Sequence, residues 1–316
     1  MASGDVVARA KLRVERARAD HGAVDITIRT IRRFSEDDGG FFAASLTYYT
    51  FFSIFPLLIF GASALGYLTF LSSDLQDRLL EEGLGAVPLI SEVLDADSIQ
   101  TLQEQRGTLA IVGLLLALYT GSGAINALEH ALNKIYRVRG EPGPIARRMR
   151  SLKWLAAAGV AVVVTVGVGA LGPLAGGLFG DEPALTLSVG ILVRILGVAV
   201  SAVMFIAAFR LLPAADYSWR DVLPGAVAAS IAFEILKLVG GWYLARSSGS
   251  REQTFGAFNT AAALLVASYL LAQITLLAAE LNAVLAERRL TRQSAVDRAL
   301  HPPLSPQRVP EPRSMI

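Results

Sequence analysis

Arg194, Glu234 and Lys237 are the residues of this chain best placed to do chemistry, because each interrupts a long run of apolar residues. An ionisable group inside hydrocarbon costs about 2.5–3.5 kcal/mol on insertion scales unless it is paired or wet. Such groups mark polar routes through a membrane, or pairs that hold helices together. Lys237 follows Glu234 at i+3, on the same helix face. At 1.5 Å per residue, Arg194 lies about 15 Å below the outer face of a ~30 Å core, and Glu234 about 12 Å below it. These depths allow an Arg194–Glu234 pair with Lys237 beside it. Two readings stand: a polar site in a cavity between two spans, or a structural ion pair that locks them.

Two further polar stripes share helix faces. Ser122, Asn126, Glu129 and Asn133 follow one another at three to four residues toward the end of one apolar run. Asn and Ser also serve as glue between membrane helices, so this stripe reads equally well as packing. Tyr269, Gln273 and Glu280 form the second stripe, facing the bundle or a wet cleft. Glu280 could instead reach the headgroup region and pair with Arg288 or Arg289. Pro56 follows Ser45, Tyr48, Tyr49 and Ser53 and removes one helical hydrogen bond, which makes it a candidate hinge or a static bend. Gly172 and Gly176 form a GxxxG pair, read here as glycine-rich packing.

Several chemistries lack their residues. The chain has no Cys, which excludes disulfides, thiolate nucleophiles and Cys-ligated metals. His21, His130 and His301 are too dispersed for a local metal motif. No Walker A, GxSxG or HExxH motif occurs. No catalytic residue, metal or cofactor is therefore expected, and the chain reads as a non-enzyme. The basic segments suit an anionic leaflet better than a nucleic-acid groove, so no nucleic-acid partner is expected.

The elements that position these residues are membrane helices. Of 316 residues, 53% are hydrophobic and only 18% charged; mean hydropathy is +0.49. An ordinary soluble domain carries about 25% charged residues. Six runs are long and apolar enough to span: about 42–70, 108–128, 154–178, 184–209, 222–245 and 257–285. The predicted fold is an all-α, polytopic bundle of six transmembrane helices. Lys and Arg crowd the N-terminal segment, the loop after the second span and the tail, and the loop after the fourth span adds Arg210 and Arg220. The opposite loops hold only Arg78, Arg106, Arg246 and Arg251. The positive-inside rule then places both termini in the cytoplasm.

Three regions result. Residues 1–40 form a basic cytoplasmic segment with an amphipathic helix, in which Val24, Ile28 and Ile31 share a face. That face suits the anionic inner leaflet, with a solvated basic arm as the alternative. Residues 41–287 form the transmembrane domain, with short helices expected in the first extracytoplasmic loop, residues 72–106. Residues 288–316 read as a disordered, proline-rich tail. The segments show no cleavable signal peptide, and a homo-oligomer is compatible with the sequence.

Three stretches resemble a known family. They are FFAASLTYYTFFSIFPLLIFGASALGY (Phe41–Tyr67), ALNKIYRV (residues 131–138) and LPAADYSWRDVLPGAVAASIAFEILK (Leu212–Lys237), the last continued by TFGAFNTAAALLVASYLLAQITLLAAELNAVL (Thr254–Leu285). Together they resemble the YihY/virulence factor BrkB family over about residues 24–288. The resemblance implies six spans with both ends cytoplasmic, and links to envelope integrity and export of lipid-like material. It carries no agreed catalytic residues. It also brings the old label ribonuclease BN, which this sequence speaks against, since three scattered His and no Cys cannot build a zinc site. Two functions follow as expectations: a translocator of lipid-like envelope material, or a non-catalytic scaffold for envelope integrity.

Overall fold

The computed structural model describes residues 22–68, 106–138, 140, 143, 145, 147–161, 183–215, 217–247 and 252–300. Within them the chain forms α1 (Gly22–Glu36), α2 (Gly39–Leu68), α3 (Arg106–Ile135), α4 (147–161), α5 (Pro183–Leu211), α6 (Trp219–Ser247) and α7 (Glu252–Leu300), and no strand. The all-α expectation holds. Among the described residues five helices are long and apolar enough to cross a membrane: Gly39–Leu57, Gly107–Ile135, Ser188–Leu211, Trp219–Tyr243 and Ala261–Ser294. The expected span at 154–178 begins within α4, and its remainder lies outside the described residues. So do the short helices expected in 72–106 and the Gly172–Gly176 pair.

The spans pack in a row, α5 on α6, α6 on α7, α7 on α2 and α2 on α3, while α1 lies along α7. Two glycines of α3 set its approach to α2. A Cβ at Gly123 would strike the Tyr49 ring, and one at Gly113 the Phe60 backbone. Small residues also dominate the buried core, which gathers where α2 begins, α3 ends, α6 begins and α7 passes. It includes Ala43, Ala131, Leu132, Phe209, Leu212, Val222, Ala226, Leu276 and Ala279. Lys134, Arg137, Arg147, Arg210, Arg220 and Arg288 sit at this same end, called here the basic end.

Local sequence explains the joints. Asp38 adopts φ 58, a left-handed conformation that Asp tolerates, and Gly39 follows where a Cβ would collide with Phe34. That tight corner turns α1 into α2. At the start of α6, Ser218 donates through its Oγ (2.7 Å) and its backbone N–H (3.2 Å) to the Asp221 carboxylate, a capping arrangement that stops the first turn from fraying. The Arg210 guanidinium stacks 3.9 Å over the Trp219 ring and ties the end of α5 to the start of α6.

One expectation needs correction here. α7 remains helical to Leu300, where a disordered tail was expected from 288. The stretch from 288 to 300 is Pro- and Gly-free, and it continues a helix held to α1 where Arg33 pairs with Glu287 at 2.5 Å and Arg288 with Asp25. Residues 301–316 lie outside the described residues. The amphipathic helix begins at Gly22; its Asp25 and Thr30 are buried against the bundle, whereas Val24 and Ile31 face outward. Pro56 lies buried within a continuous α2.

Candidate functional site

The mid-membrane charges lie on the α5–α6 face. Glu234 pairs with Lys237 at 2.5 Å, one turn along its own helix, rather than with Arg194. Ser201 of α5 donates to Glu234 Oε1 at 3.5 Å, and a Cβ at Gly197 would stand 3.8 Å from the same oxygen. Arg194 lies on the Gly197–Ser201 stripe of α5, nearly one turn before Gly197. It is exposed and makes no ion pair among the described residues. The pair is not sealed: the Glu234 side chain is 22% exposed and that of Lys237 39%. Lys237 Nζ also stands 5.0 Å over the Phe233 ring. Around them Leu192, Ile195, Ile231, Ile235 and Leu238 present an apolar wall.

The α3 stripe reaches neighbours one by one. Asn126 Oδ1 accepts from Ser151 Oγ at 2.5 Å, and Arg150 donates to Glu129 Oε1 at 3.1 Å. Asn133 Oδ1 accepts from the Ala214 N–H at 2.9 Å. Arg147 approaches His130 at 3.5 Å. Ser122 bonds the Tyr119 carbonyl of its own helix. The stripe therefore fastens α3 to α4 and to the α5–α6 connection.

On α7, Tyr269 packs against the core and Gln273 is half-buried. Glu280 is 1% exposed and neither carboxylate oxygen has a donor. The Asp37 carboxyl, itself buried and paired with Arg137 at 3.1 Å, lies beside it. The alternative pairing of Glu280 with Arg288 or Arg289 does not form, since Arg288 holds Asp25 and Arg289 holds Asp221. Asn282 is buried and accepts the Gly225 N–H at 2.7 Å.

A cleft of about 800 Å³ opens at the basic end between the end of α3, the start of α6 and α7. Arg33, Arg137, Arg220 and Arg289 line it, with Tyr136 and Tyr217 stacked at 4.3 Å between ring centroids. Burial pushes the Tyr217 hydroxyl pKa up, and the Asp221 charge adds to it; burial does the same, more strongly, at Tyr136. Both phenols stay protonated donors at neutral pH. Hydropathy and residue spacing do not single out this cleft, although Tyr136, Arg137, Tyr217 and Arg220 all belong to the segments that carry the family resemblance. No group of three or more His, Asp and Glu suited to a metal occurs among the described residues.

The model of the family described as Virulence factor BrkB matches residues 30–300. Similar proteins include the ribonuclease-like protein YfkH of Bacillus subtilis, 29% identical over 266 residues, covering 81% of this chain and 94% of that one. The inner membrane protein YhjD of Escherichia coli is 27% identical, covering 80% and 78% respectively. A UPF0761 membrane protein of Methylibium petroleiphilum is 29% identical, covering 81% of this chain and 61% of its own longer sequence. No solved structure matches. With the match running from α1 to the end of α7 over a bundle of apolar helices, this chain belongs to the Virulence factor BrkB family of membrane proteins.

Proposed function

We propose that this chain translocates amphiphilic, lipid-like envelope material across a bacterial inner membrane, with the α5–α6 face as its polar track. The observation that carries this reading is the open Glu234–Lys237 pair. A scaffold reading calls for charges that lock two helices together. Glu234 and Lys237 belong to one helix, so their pair cannot do that. Instead the charges, with Arg194 and Ser201 beside them, offer polar contacts at mid-depth on an otherwise apolar wall. A headgroup crossing there would exchange water for these groups, while its acyl chains stay in lipid. In the same reading the basic end faces the cytoplasm, six spans cross, and the outward Val24 and Ile31 of α1 rest on the anionic inner leaflet.

The test is translocation of labelled envelope lipids by purified protein in proteoliposomes, with and without a proton gradient. Wild type should accelerate transfer. Glu234→Gln and Arg194→Gln should slow it about tenfold, a loss of one modest polar contact at the barrier, at unchanged protein content per vesicle. Transfer no faster than in empty vesicles, from protein that elutes as a folded species, would favour the scaffold reading instead.

A further inference from the structure

The cleft at the basic end has the makings of an anion site that owes nothing to translocation. Three of its arginines already hold an acid: Arg33 with Glu287, Arg137 with Asp37 at 3.1 Å and Arg289 with Asp221 at 3.0 Å. The fourth, Arg220, makes no ion pair among the described residues. The nearest acid in sequence, Asp221, is taken twice over, by Arg289 and by the cap of α6. Arg289 also donates to the Arg220 carbonyl at 2.8 Å, which fixes the backbone from which the free guanidinium projects. The cleft lining therefore keeps an excess of positive charge after its own pairs are formed.

The rest of the wall suits one kind of anion. The N-terminal turn of α6, a 29-residue helix, starts at the cleft and brings its positive dipole end. The Tyr217 hydroxyl stands in the lining beside the arginines, whereas that of Ser218 is already given to Asp221. Guanidinium groups from α1, the end of α3, α6 and α7, with the Tyr217 hydroxyl among them, offer donors from several directions, which suits the tetrahedral oxygens of a phosphate. Ile135, Ala283, Ala286 and Leu290 add an apolar part to the lining, with Gln293 beside them. Leu290, at the wall, and Trp219, at the foot of α6, are exposed, and an exposed Trp beside arginines is the mark of a headgroup level in a membrane.

We propose that this cleft binds a phosphate group carried on an organic body, the chemistry shared by a glycerophospholipid headgroup and a soluble phosphoester, with Arg220 as the direct ligand. Apolar lining beside the arginines favours the lipid as its source. The site holds whether or not the α5–α6 face moves anything across the membrane.

Native mass spectrometry of the full chain released from detergent tests it, with dioleoylphosphatidylglycerol as the probe and dioleoylglycerol, which has the same tails and no phosphate, as the comparison. Wild type should retain the phospholipid and not the diacylglycerol. Arg220→Gln should lower retention roughly tenfold, as expected for one lost charge-assisted contact. It should melt at the wild-type temperature, since no ion pair is broken. Arg220→Lys, which keeps the charge but not the fork, should fall between the two and serves if the Gln variant is unstable. Arg292→Gln, an exposed charge on α7 outside the cleft, should bind as wild type. Displacement of the lipid by millimolar glycerol 3-phosphate would support the site and name a soluble phosphoester as a ligand too; no displacement would support it with the lipid as the source. Equal retention of both probes, undiminished binding by Arg220→Gln, or an equal loss in Arg292→Gln would overturn it.

Discussion

Gly225→Ala is expected to leave little folded protein in the membrane. Gly225 sits in α6 where that helix lies closest to α7, and a Cβ there would run into the Ala278 carbonyl oxygen and the Asn282 side chain. Neither obstacle is the far end of a flexible group. The carbonyl is helix backbone, and Asn282 is held by the Gly225 N–H itself at 2.7 Å in a buried setting. Overpacking of a close-packed core costs typically about 1–3 kcal/mol, and more where backbone must move. Losing the amide contact orphans Asn282 Oδ1, whose Nδ2 already lacks a partner, for about 1–3 kcal/mol more. Against a net stability of about 5–15 kcal/mol, the sum is severe. Gly240→Ala on the same helix meets nothing within 4 Å and should be neutral. Membrane-fraction abundance and fluorescence-detected melting of the two variants check this. Equal behaviour of both would show that α6 and α7 are farther apart than the geometry gives.

The contrast between these two glycines shows what the sequence could and could not supply. The spans were legible because each needs a long apolar run, and apolar runs are one-dimensional objects. Their ends were less so: α6 starts at Trp219, three residues ahead of the expected 222, because the Ser218–Asp221 cap and not hydropathy decides where the helix begins. The tail was misjudged for a similar reason. Polarity suggested disorder from 288, but the stretch to Leu300 is free of Pro and Gly, and α1 supplies Arg33 and Asp25 as partners. Nothing in the local sequence announces a partner so far away along the chain.

The candidate sites follow the same division. A depth estimate placed Arg194 and Glu234 at similar heights, but height does not fix the direction in which a side chain leaves its helix. Lys237, one turn along and on the same face, was the shorter reach for Glu234. Asn126, Glu129 and Asn133 recur at the spacing of one helix face, yet their partners Ser151, Arg150 and Ala214 come from two other segments. The basic-end cleft was the least legible feature of all. Its arginines come from α1, the end of α3, the first turn of α6 and α7, and each alone reads as an ordinary topogenic charge.

Arg150→Ala should be the most damaging single loss of a charge in this chain, and its rescue should identify the cause. The Glu129 side chain is 1% exposed and its Oε1 depends on Arg150 at 3.1 Å, while Oε2 has no partner. Breaking a buried pair by removing one member costs about 3–5 kcal/mol, because the other charge is left uncompensated. Arg150 is itself 34% exposed, so solvent screening trims the expected loss to about 2–3 kcal/mol. For a protein of this size that is about 3–5 °C in melting temperature. Glu129→Gln, which removes the buried charge and keeps the shape, should cost less than half as much. Adding Glu129→Gln to Arg150→Ala should restore most of the stability that Arg150→Ala loses. A double variant as unstable as Arg150→Ala alone would put the blame on the lost contact between Arg150 and the Leu212 carbonyl, not on a stranded charge. The cycle also separates two kinds of intramembrane charge. If the α3 stripe only fastens helices, these variants lower the amount of folded protein but leave transfer per folded molecule unchanged. Glu234→Gln should do the reverse, because its charge lies on an open face that packing does not need.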